Sequence, residues 1–314
     1  MSESNKNIEV LAVNISKEKG TVKEAVPEIK LTAIGVDGDA HSGDWHRMVS
    51  MLGQESVEKF EHKAGRKIAF GEFAENITTK GLLLYETHPL DRFVGKDIDL
   101  EVTQIGKECH GDSCAIYREV GNCVMPKEGI FARVLKGGKM KAGDTLEYRP
   151  KIQKVHVITL SDRAFRGEYE DRSGPAIEEK LKIFFSVSNR KFEITRTVIP
   201  DDPEALEALI AHSVNADFDA IITTGGTGVG ERDITPETIQ PMLDKELPGI
   251  MEMIRVKYGE KKPQALLSRS IAGTINKTQV YSLPGSVRAC NEYLDEILKT
   301  YHHLMLMLHG VDAH

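Results

Sequence analysis

A glycine-rich segment in the second half of the chain carries the residues best suited to phosphate chemistry. Residues 223–237 read TTGGTGVGERDITPE, with glycines at positions 225, 226, 228 and 230. Glycine tolerates positive φ angles and lets a ligand approach the backbone closely, and consecutive N–H groups in such a turn can form an anion-binding concavity. Glu231 and Asp233 stand directly beside these glycines. The segment predicts a loop that binds a phosphate-bearing ligand, with a metal ion nearby.

The spacing of these glycines excludes two familiar phosphate motifs. No Gly-Lys-Ser or Gly-Lys-Thr follows, so the segment is not a Walker loop, and the alternation Gly226-x-Gly228-x-Gly230 does not fit the dinucleotide fingerprint. A tight strand-to-helix turn without any ligand remains an alternative. Four glycines next to Arg232-Asp233 nevertheless exceed what a turn needs.

The elements around the loop alternate between strand and helix. The predicted strands are residues 155–160, 192–199, 221–224 and 280–283, and the predicted helices are 173–181, 202–214 and 286–308. Thr235-Pro236 predicts a further helix with a Thr N-cap and Pro at its first position. This alternation predicts an α/β three-layer domain with a mainly parallel sheet and helices on both faces.

Ligands in such folds bind at the carboxyl ends of the strands. Polar residues that could serve a phosphate or a metal ion follow several of these ends or lie near them, namely Asp162, Asp201, Asp202, Asp233, Ser268, Arg269, Gly285 and Ser286. Carboxylates with an arginine and a Gly-Ser pair suit a Mg²⁺-bound polyphosphate, and a helix N-terminus is a natural phosphate seat. We expect Asp201 and Asp233 to take part in chemistry and Asp202 to cap a helix. Asp162 is either a site residue or a turn carboxylate.

Residues 154–310 resemble the MogA/MoaB molybdopterin-binding proteins. The resemblance rests on short motifs along the whole segment, namely Leu160-Ser-Asp-Arg163, Gly167-Glu-Tyr-Glu-Asp171, Ile199-Pro-Asp201, Thr224-Gly-Gly-Thr-Gly228, Arg232-Asp-Ile-Thr-Pro-Glu237, Leu267-Ser-Arg269 and Leu283-Pro-Gly-Ser286. It implies molybdopterin adenylyltransferase activity, in which molybdopterin and ATP give adenylyl-molybdopterin and pyrophosphate. The two acidic residues important in the family fall on Asp201 and Asp233.

The resemblance also implies which residues hold the substrates. Asp201 and Asp233 would hold Mg²⁺, with Asp162 beside them. The phosphates and the pterin would be bound by the glycine loop and two further segments, namely Gly225, Gly226, Thr227, Gly228, Ser268, Arg269, Gly285 and Ser286. Many relatives carry Asn or Gln where this chain has Ser286, so a role based on an amide group does not transfer to that position.

The first half of the chain has a different pattern, with many short β-rich segments and little helix. Strand-like pieces occur at residues 8–13, 29–34, 98–105 and 145–148, and one helix is predicted at 54–64. Gly137-Gly138 and Gly143-Asp144 are interpreted as hairpin turns. The pattern predicts a mostly β, partly closed barrel.

Three of the four cysteines cluster in this half, at positions 109, 114 and 123. The cluster lacks the paired C-x-x-C spacing of zinc knuckles, so a zinc site is a weak alternative, and inert buried thiols are another. Lys107 and His110 could lower the pKa of a nearby thiol, whereas Asp112 would oppose this. His41 and His46 lie in a glycine-rich loop, where ligand hydrogen bonding or loop structure is a better interpretation than metal binding.

Residues 8–148 resemble the MOSC domain, a module of molybdenum-cofactor sulfurases and small pterin-cofactor proteins. The resemblance rests on Gly35-Val-Asp-Gly-Asp-Ala-His41, Gly71-Glu-Phe-Ala-Glu-Asn76 and Glu128-Gly-Ile-Phe-Ala-Arg-Val-Leu-Lys-Gly-Gly138 through Gly143-Asp144. It implies a β-barrel that binds a molybdenum-pterin or carries sulfur on a cysteine. Cys114, followed by Ala-Ile-Tyr, best matches the family's functional thiol, and Cys109 is the second candidate.

Bulk properties agree with a two-domain protein. The chain has 314 residues, a net charge of −7 and enough apolar content for real cores. We expect a boundary at Pro150, giving domains 1–150 and 151–314. The acidic balance argues against general nucleic-acid binding. The N-terminus lacks an apolar signal core, the apolar runs are too short for a bilayer, and the cysteine usage fits a cytoplasmic location.

Together these features predict an enzyme of molybdenum-cofactor biosynthesis. Its substrates would be molybdopterin and ATP, with Mg²⁺, and its other partners would be proteins of the same pathway. The first domain would bind, sulfurate or hand on the pterin or the molybdenum cofactor. The family of the second domain implies a homo-oligomer, namely a trimer. Two alternatives stay open, a non-catalytic molybdopterin carrier and a reductase or sulfur-transfer enzyme based on the first domain.

Overall fold

The computed structural model describes residues 6–108 and 123–311. The chain divides into two compact units: the first contains the residues up to Lys151 together with Val311, and the second spans Ile152–Gly310. Each unit has a sheet and a hydrophobic core of its own. None of the helices in these described ranges combines the length and apolar character that a bilayer crossing requires.

The first unit is built mainly from strands. In chain order these are β1 (Lys6–Ile15), β2 (Glu24–Val26), β3 (Ile29–Thr32), β4 (Gly35–Val36), β5 (Val49–Gly53), β6 (Ile77–Lys80), β7 (Arg92–Val94), β8 (Asp99–Ile105), β9 (Ile130–Lys136), β10 (Lys139–Met140) and β11 (Thr145–Arg149). The helices are α1 (Gln54–Ala64), α2 (Met125–Glu128) and a 3₁₀ turn at Leu84–Glu86. The predicted helix at 54–64 and the predicted strand composition are confirmed.

Seven of these strands close into a barrel. Their order is β11-β7-β8-β9-β5-β6-β1, and β1 returns to pair with β11. All pairs are antiparallel except β5 with β6. Closure removes the free edges that an open sheet would expose. Alternate side chains of the strands fill the interior, including Val10, Met51 and Leu100. The predicted barrel is therefore present, and it is fully closed.

Gly137-Gly138 and Gly143-Asp144 are not turns of β-hairpins. β10 pairs with β3, not with β9 or β11, so each pair joins strands that are not neighbours. Gly138 and Leu31 instead exchange two backbone hydrogen bonds, of 2.8 and 3.1 Å. At the other turn, Gly143 N–H donates to the Val10 carbonyl at 2.8 Å. The hairpin interpretation is wrong because short-range composition does not specify a partner strand.

The second unit alternates between strands and helices. The strands are β12 (Gln153–Leu160), β13 (Phe192–Ile199), β14 (Ala220–Thr224), β15 (Lys245–Glu246), β16 (Ala272–Ile275) and β17 (Thr278–Leu283). The helices are α3 (Asp162–Phe165), α4 (Ser173–Val187), α5 (Pro203–Asn215), α6 (Thr235–Ile239), α7 (Pro248–Gly259) and α8 (Val287–Leu308), with 3₁₀ turns at Gln240–Met242 and Pro263–Leu267. Every strand and helix predicted in this unit is present.

These strands form one sheet in the order β13-β12-β14-β17-β16-β15. The first four run parallel, as predicted. β16 runs antiparallel to β17, because a tight turn rather than a helical crossover joins these two strands. β15 runs antiparallel to β16. The sheet is therefore mixed, with its parallel part on one side and an antiparallel edge on the other.

Apolar side chains on the two faces of this sheet belong to separate clusters. Val157, Ile222 and Tyr281 pack in one cluster with residues of α4, α7 and α8. Ile158 and Ile221 pack in the other with residues of α5 and α6. Because side chains alternate between the faces of a strand, these clusters cover opposite faces. This buried, two-sided packing explains why the central strands are continuous apolar runs.

Side chains cap three of the helices. Asp202 accepts from Glu204 N–H at 3.0 Å, which confirms the predicted capping role, and Ser286 accepts from Ala289 N–H at 3.3 Å at the start of α8. The predicted Thr cap of α6 is wrong. Ile234 occupies the N-cap position, and the Thr235 hydroxyl donates to the Gly225 carbonyl at 2.9 Å. That bond ties the helix to the glycine loop.

Candidate functional site

The carboxyl ends of the four parallel strands lie at one edge of the second unit. In the pairing register, Leu160 is opposite Ile199, Thr159 is opposite Thr224, and Thr224 is opposite Leu283. The segments that follow these strands therefore meet at the same edge, as predicted. They contain the candidate residues Asp162, Asp201, Gly225–Gly228, Gly285 and Ser286.

Asp162 and Asp201 form a reciprocal pair at this edge. The Asp162 N–H donates to Asp201 Oδ2, and the Asp201 N–H donates to Asp162 Oδ1, each at 3.2 Å. Burial, together with the negative charges of Asp162 and Asp233, raises the pKa of Asp201 above its usual range, although the Asp162 N–H and Arg232 oppose this. Asp162 thus lies directly beside Asp201 at this edge.

The first two glycines of the loop are required by close packing of the backbone. Gly225 has φ +104°, and a Cβ there would lie 2.4 Å from the Leu160 carbonyl oxygen. Gly226 has φ +62°, and a Cβ there would lie 2.5 Å from the Thr235 hydroxyl. Gly228 and Gly230, the other two glycines of the motif, do not have positive φ. Side chains at Gly225 or Gly226 would push the loop away from β12 and α6.

We define the glycine loop as residues 225–233. Asp233 fixes the conformation of its second part. Its Oδ2 accepts from the Gly230 N–H at 2.8 Å, and a Cβ on Gly228 would lie 2.6 Å from the same oxygen. Within the described chain, the N–H groups of Gly226, Thr227 and Gly228 contact no acceptor. These three donors form the part of the loop that is suited to an anion.

Arg269 braces the glycine loop instead of facing an open site. Its Nε donates to the Gly228 carbonyl at 2.5 Å, and its Nη2 donates to the Asp233 carbonyl at 2.8 Å. Its Nη1 pairs with Glu237, and its backbone N–H donates to the Thr227 carbonyl at 3.0 Å. The guanidinium is therefore committed to protein acceptors. This arrangement favours positioning over the predicted phosphate or pterin contact.

A cavity of about 430 Å³ opens against the outer side of this loop. Its lining residues are Val229, Gly230, Glu231, Asp233, Ile234, Glu237 and Arg269. Of the described residues predicted to hold substrate or metal, only Asp233 and Arg269 line it, so the Asp162–Asp201 pair lies outside the cavity. Its carboxylates and the Arg269 guanidinium lie beside the apolar side chains of Val229 and Ile234.

The remaining predicted contacts are more peripheral. The Ser268 hydroxyl lies 3.0 Å from the Ser270 hydroxyl, in the segment that leads into β16. Ser286 is exposed and serves as a helix cap. Gly285 packs against the glycine loop, because a Cβ there would lie 3.5 Å from the Gly225 Cα. Ser268 and Ser286 are thus held by local contacts, and both stay near the edge.

The donor set suits Mg²⁺ that is shared with a substrate. No group of three or more His, Cys, Asp or Glu side chains that could hold a metal occurs in residues 6–108 or 123–311. Mg²⁺ usually needs only one or two carboxylates, because substrate phosphates and waters complete its shell. The Asp162–Asp201 pair contains carboxylates of this kind.

The thiol predictions for the first unit concern residues outside the described part of the chain. Cys109 and Cys114, with His110, lie in the segment 109–122. Cys123 is half-buried and packs with an apolar cluster around Phe73. Cys290 is buried in the second unit, and burial raises the pKa of its thiol to about 11. Cys123 and Cys290 thus pack against apolar clusters.

The first unit buries a group of charges that sequence reasoning missed. Lys23 pairs with Asp39, and each side chain is 1% exposed. Asp39 also accepts from the N–H groups of Ser16 at 3.0 Å and His41 at 2.9 Å. Burial opposes its ionisation, but the hydrogen bonds from His41, Lys23 and Ser16 hold its pKa below the usual range. Asp39 lies in the Gly35–His41 motif, whereas nothing in the sequence indicated that Lys23 is buried.

Glu75, which lies in the Gly71–Asn76 motif, is close to the Lys23–Asp39 pair. It is 1% exposed, and its Oε1 accepts from the Gly71 N–H at 2.7 Å and the Thr78 hydroxyl at 2.9 Å. Burial raises its pKa. His41 and His46 have separate surroundings: His41 faces Asp39, and His46 Nε2 lies 3.1 Å from Gln104 Oε1. The two histidines therefore contact different residues.

Comparison with known proteins finds a matching family for each half of the chain. The MOSC domain family matches residues 37–147, and the family described as a probable molybdopterin binding domain matches residues 156–303. The molybdopterin adenylyltransferase of Pyrococcus furiosus is 40% identical over 163 residues, covering 50% of this chain and 91% of that protein. The chain belongs to the MogA/MoaB family. Its MogA/MoaB half follows a MOSC half, so the predicted fusion is confirmed.

Other relatives match the same MogA/MoaB half. The molybdopterin adenylyltransferase of Helicobacter pylori (strain 26695) is 37% identical over 149 residues, covering 46% of this chain and 83% of that protein. A crystal structure of the tungsten cofactor synthesizing protein MoaB from Pyrococcus furiosus is 36% identical, covering 51% of this chain and 98% of that chain with a TM-score of 0.46.

Proposed function

We propose that the second unit transfers an adenylyl group from ATP to molybdopterin. The observation that carries this proposal is the meeting of the Asp162–Asp201 pair, the glycine loop and Asp233 at the carboxyl edge of the parallel strands. Such an edge can position two phosphate-bearing substrates against each other. Two relatives at 37–40% identity are named for this activity, which supports the same conclusion.

The reaction needs positioning and charge neutralisation more than proton transfer. An oxygen of the molybdopterin phosphate attacks the α-phosphorus of ATP, the bond from that phosphorus to the α–β bridging oxygen breaks, and pyrophosphate leaves. A phosphate monoester has its second pKa near about 6, so the attacking group is already mostly ionised at neutral pH. No strong general base is required, and preorganised charges supply the acceleration.

Each element of the edge has a role in this proposal. Asp201 and Asp233, with Asp162 beside them, would hold Mg²⁺, which would neutralise phosphate charge when bound. The N–H groups of Gly226, Thr227 and Gly228 would donate to a phosphate. Asp233 has a second task, since its contact with Gly230 keeps the loop in shape. Ser268, Gly285 and Ser286 would complete the edge around the substrates.

An assay on the full-length chain tests the proposal. Wild-type protein with molybdopterin, ATP and Mg²⁺ should release pyrophosphate, and omission of molybdopterin should abolish the release. A non-catalytic carrier would instead bind molybdopterin and release none. Mg²⁺ dependence is checked by titrating EDTA into the same reaction.

The first unit is proposed to bind the pterin or the molybdenum cofactor, with Cys114 as its working thiol and Cys109 as the second candidate. A working thiol should be accessible and partly ionised, whereas a buried one is inert. Alkylation of the native protein, analysed by peptide mass spectrometry, should therefore label Cys114 and spare Cys290. If bound cofactor gives no protection, or if Cys114 stays unlabelled in the apo protein, the assignment is wrong.

Four further properties complete the proposal. The second unit would have the three-layer arrangement of α/β proteins. The chain would assemble as a trimer through that unit and would work with other proteins of the pathway. Domains 1–150 and 151–314 would fold separately. Light scattering of the full-length protein tests the trimer, and the solubility and folding of residues 151–314 alone test the independence of the domains.

A further inference from the structure

Two arginines lie close to the glycine loop, and their surroundings differ sharply. Arg269 contributes to four contacts with the loop and α6, and its side chain is 35% exposed. Arg232 lies within the loop itself, between Glu231 and Asp233, and its side chain is 76% exposed. A guanidinium that already satisfies three protein acceptors cannot easily turn to a ligand. A largely exposed one can.

Arg232 is held by one exposed interaction. Its Nη1 lies 3.1 Å from Asp162 Oδ2, and the other oxygen of Asp162 accepts from the Asp201 N–H. Because Asp162 and Asp201 exchange backbone-to-carboxylate hydrogen bonds, the guanidinium lies beside the pair of carboxylates. An exposed ion pair contributes little to stability, since hydration and side-chain entropy offset most of its energy. The pair is therefore easily exchanged for another.

The site contains more negative than positive side chains, so a cationic side chain is required to bind a polyphosphate there. The contacts and cavity lining described above bring together Asp162, Asp201, Glu231, Asp233 and Glu237, against Arg232 and Arg269. The substrates of the proposed reaction add several more negative charges, about −1.5 to −2 for a phosphate monoester alone. Mg²⁺ would satisfy carboxylates and phosphates together. Among the two arginines, Arg232 alone remains available to the charge that develops on the leaving group.

We propose that Arg232 is the residue that binds the polyphosphate of ATP, and that Asp162 holds it in place until the substrate arrives. The inference rests on the proposed adenylyl transfer and names a further catalytic residue for it. Arg269 is a positioning residue that holds three carbonyl groups of the loop in place. A planar guanidinium suits phosphate oxygens because it offers paired donors in a fixed geometry.

Arg232→Gln and Arg269→Gln in the full-length protein separate these roles. Arg232→Gln should lower kcat about 10²–10³-fold, the typical loss when one donor to a developing charge is removed. Its midpoint of thermal unfolding should stay within about 2 °C of wild type, because one exposed pair is lost. Arg232→Lys should recover part of the rate, since it keeps the charge but not the paired donors. Arg269→Gln should lower the unfolding midpoint of the second unit by several degrees.

Equilibrium binding supplies a readout that does not depend on turnover. The affinity for α,β-methylene-ATP and for inorganic pyrophosphate, each with Mg²⁺, should fall about tenfold or more in Arg232→Gln, and that for molybdopterin should stay within about threefold. If molybdopterin binding falls instead, the residue serves the pterin phosphate and the polyphosphate assignment is wrong. Unchanged binding of all three with wild-type kcat also overturns it.

These outcomes remain separable from failure of the proposed function. If wild-type protein shows no adenylyl transfer, the proposed function fails, and the pyrophosphate affinity of Arg232→Gln alone decides whether Arg232 binds polyphosphate. If wild-type protein is active and Arg232→Gln retains more than about a third of kcat, the function stands and the role of Arg232 is wrong.

Discussion

The two units treat charged side chains in opposite ways. In the barrel unit, the side chains of Lys23 and Asp39 are each 1% exposed, and Glu75 is equally buried. At the edge of the second unit, Arg232 and Asp162 meet with side-chain exposures of 76% and 24%. Breaking a buried ion pair costs several kcal/mol of stability, because the remaining charge is left without hydration. Breaking an exposed pair changes the stability little, because water solvates both charges. The barrel therefore uses charge to fix a loop, whereas the second unit keeps charge available to a ligand.

The largest effect is expected from breaking the buried pair. Asp39→Asn leaves Lys23 buried without a carboxylate and should cost about 3–5 kcal/mol of unfolding free energy. Trp45, the only tryptophan, lies in the same unit, so its fluorescence during urea unfolding reports on this unit. As a control, Glu28→Gln breaks the exposed pair with Lys139 and should change stability by less than about 1 kcal/mol. Equal effects of the two variants would contradict the comparison.

A loss of rate without a loss of structure is expected at Asp233. Asp233→Asn keeps an oxygen that can accept from the Gly230 N–H but removes the charge, so kcat for adenylyl transfer should fall about 10²–10³-fold. Molybdopterin binding should change by less than about threefold. The matched control is Asp202→Asn, because Asn caps a helix as well as Asp does, and it should keep the wild-type rate. Wild-type turnover in Asp233→Asn would remove this residue from the chemistry.

Sequence patterns predicted the arrangement of the second unit better than that of the first. Alternating strands and helices placed Asp162, Asp201 and the glycine loop at one edge, because the carboxyl ends of parallel strands must meet there. The barrel gave no such rule, since each strand's partner depends on long-range packing. Gly137-Gly138 therefore looked like a hairpin turn although β9 and β10 do not pair. Arg269 was expected at a phosphate because residue type indicates charge but not the contacts that already satisfy it.

A buried histidine makes the stability of the second unit depend on pH. His156 is 3% exposed, with Nδ1 2.7 Å from the Ser213 hydroxyl and Nε2 2.9 Å from the Thr197 hydroxyl. Burial, with a smaller contribution from His212, lowers its pKa to about 4. Between about pH 6.5 and 4 the unfolded chain binds a proton that the folded chain does not. Acidification through this window should therefore remove up to about 3 kcal/mol of stability.

Hydrogen exchange of peptides from the second unit, followed against pH, measures this loss. His156→Gln should flatten the pH dependence in that window, whereas the exposed His212→Gln should retain most of it. The expectation fails if His156→Gln and wild type lose protection in parallel as the pH falls.

The smallest effect is expected at Ser286, where capping and ligand binding make different predictions. Ser286→Ala removes the acceptor for the Ala289 N–H and should cost about 1 kcal/mol. Ser286→Asn should restore the cap, and with it the stability. If Ser286→Asn is as stable as wild type but tenfold slower in adenylyl transfer, the hydroxyl contacts a substrate as well as the helix.

Identification of the bond broken in ATP tests the central claim most directly. A single turnover of the full-length protein with molybdopterin, ATP and Mg²⁺ can be stopped and analysed by mass spectrometry. The account predicts adenylyl-molybdopterin and pyrophosphate in equal amounts, because the attack is on the α-phosphorus. Bound, unmodified molybdopterin with no pyrophosphate would contradict it, and so would ADP and phosphate as the only nucleotide products.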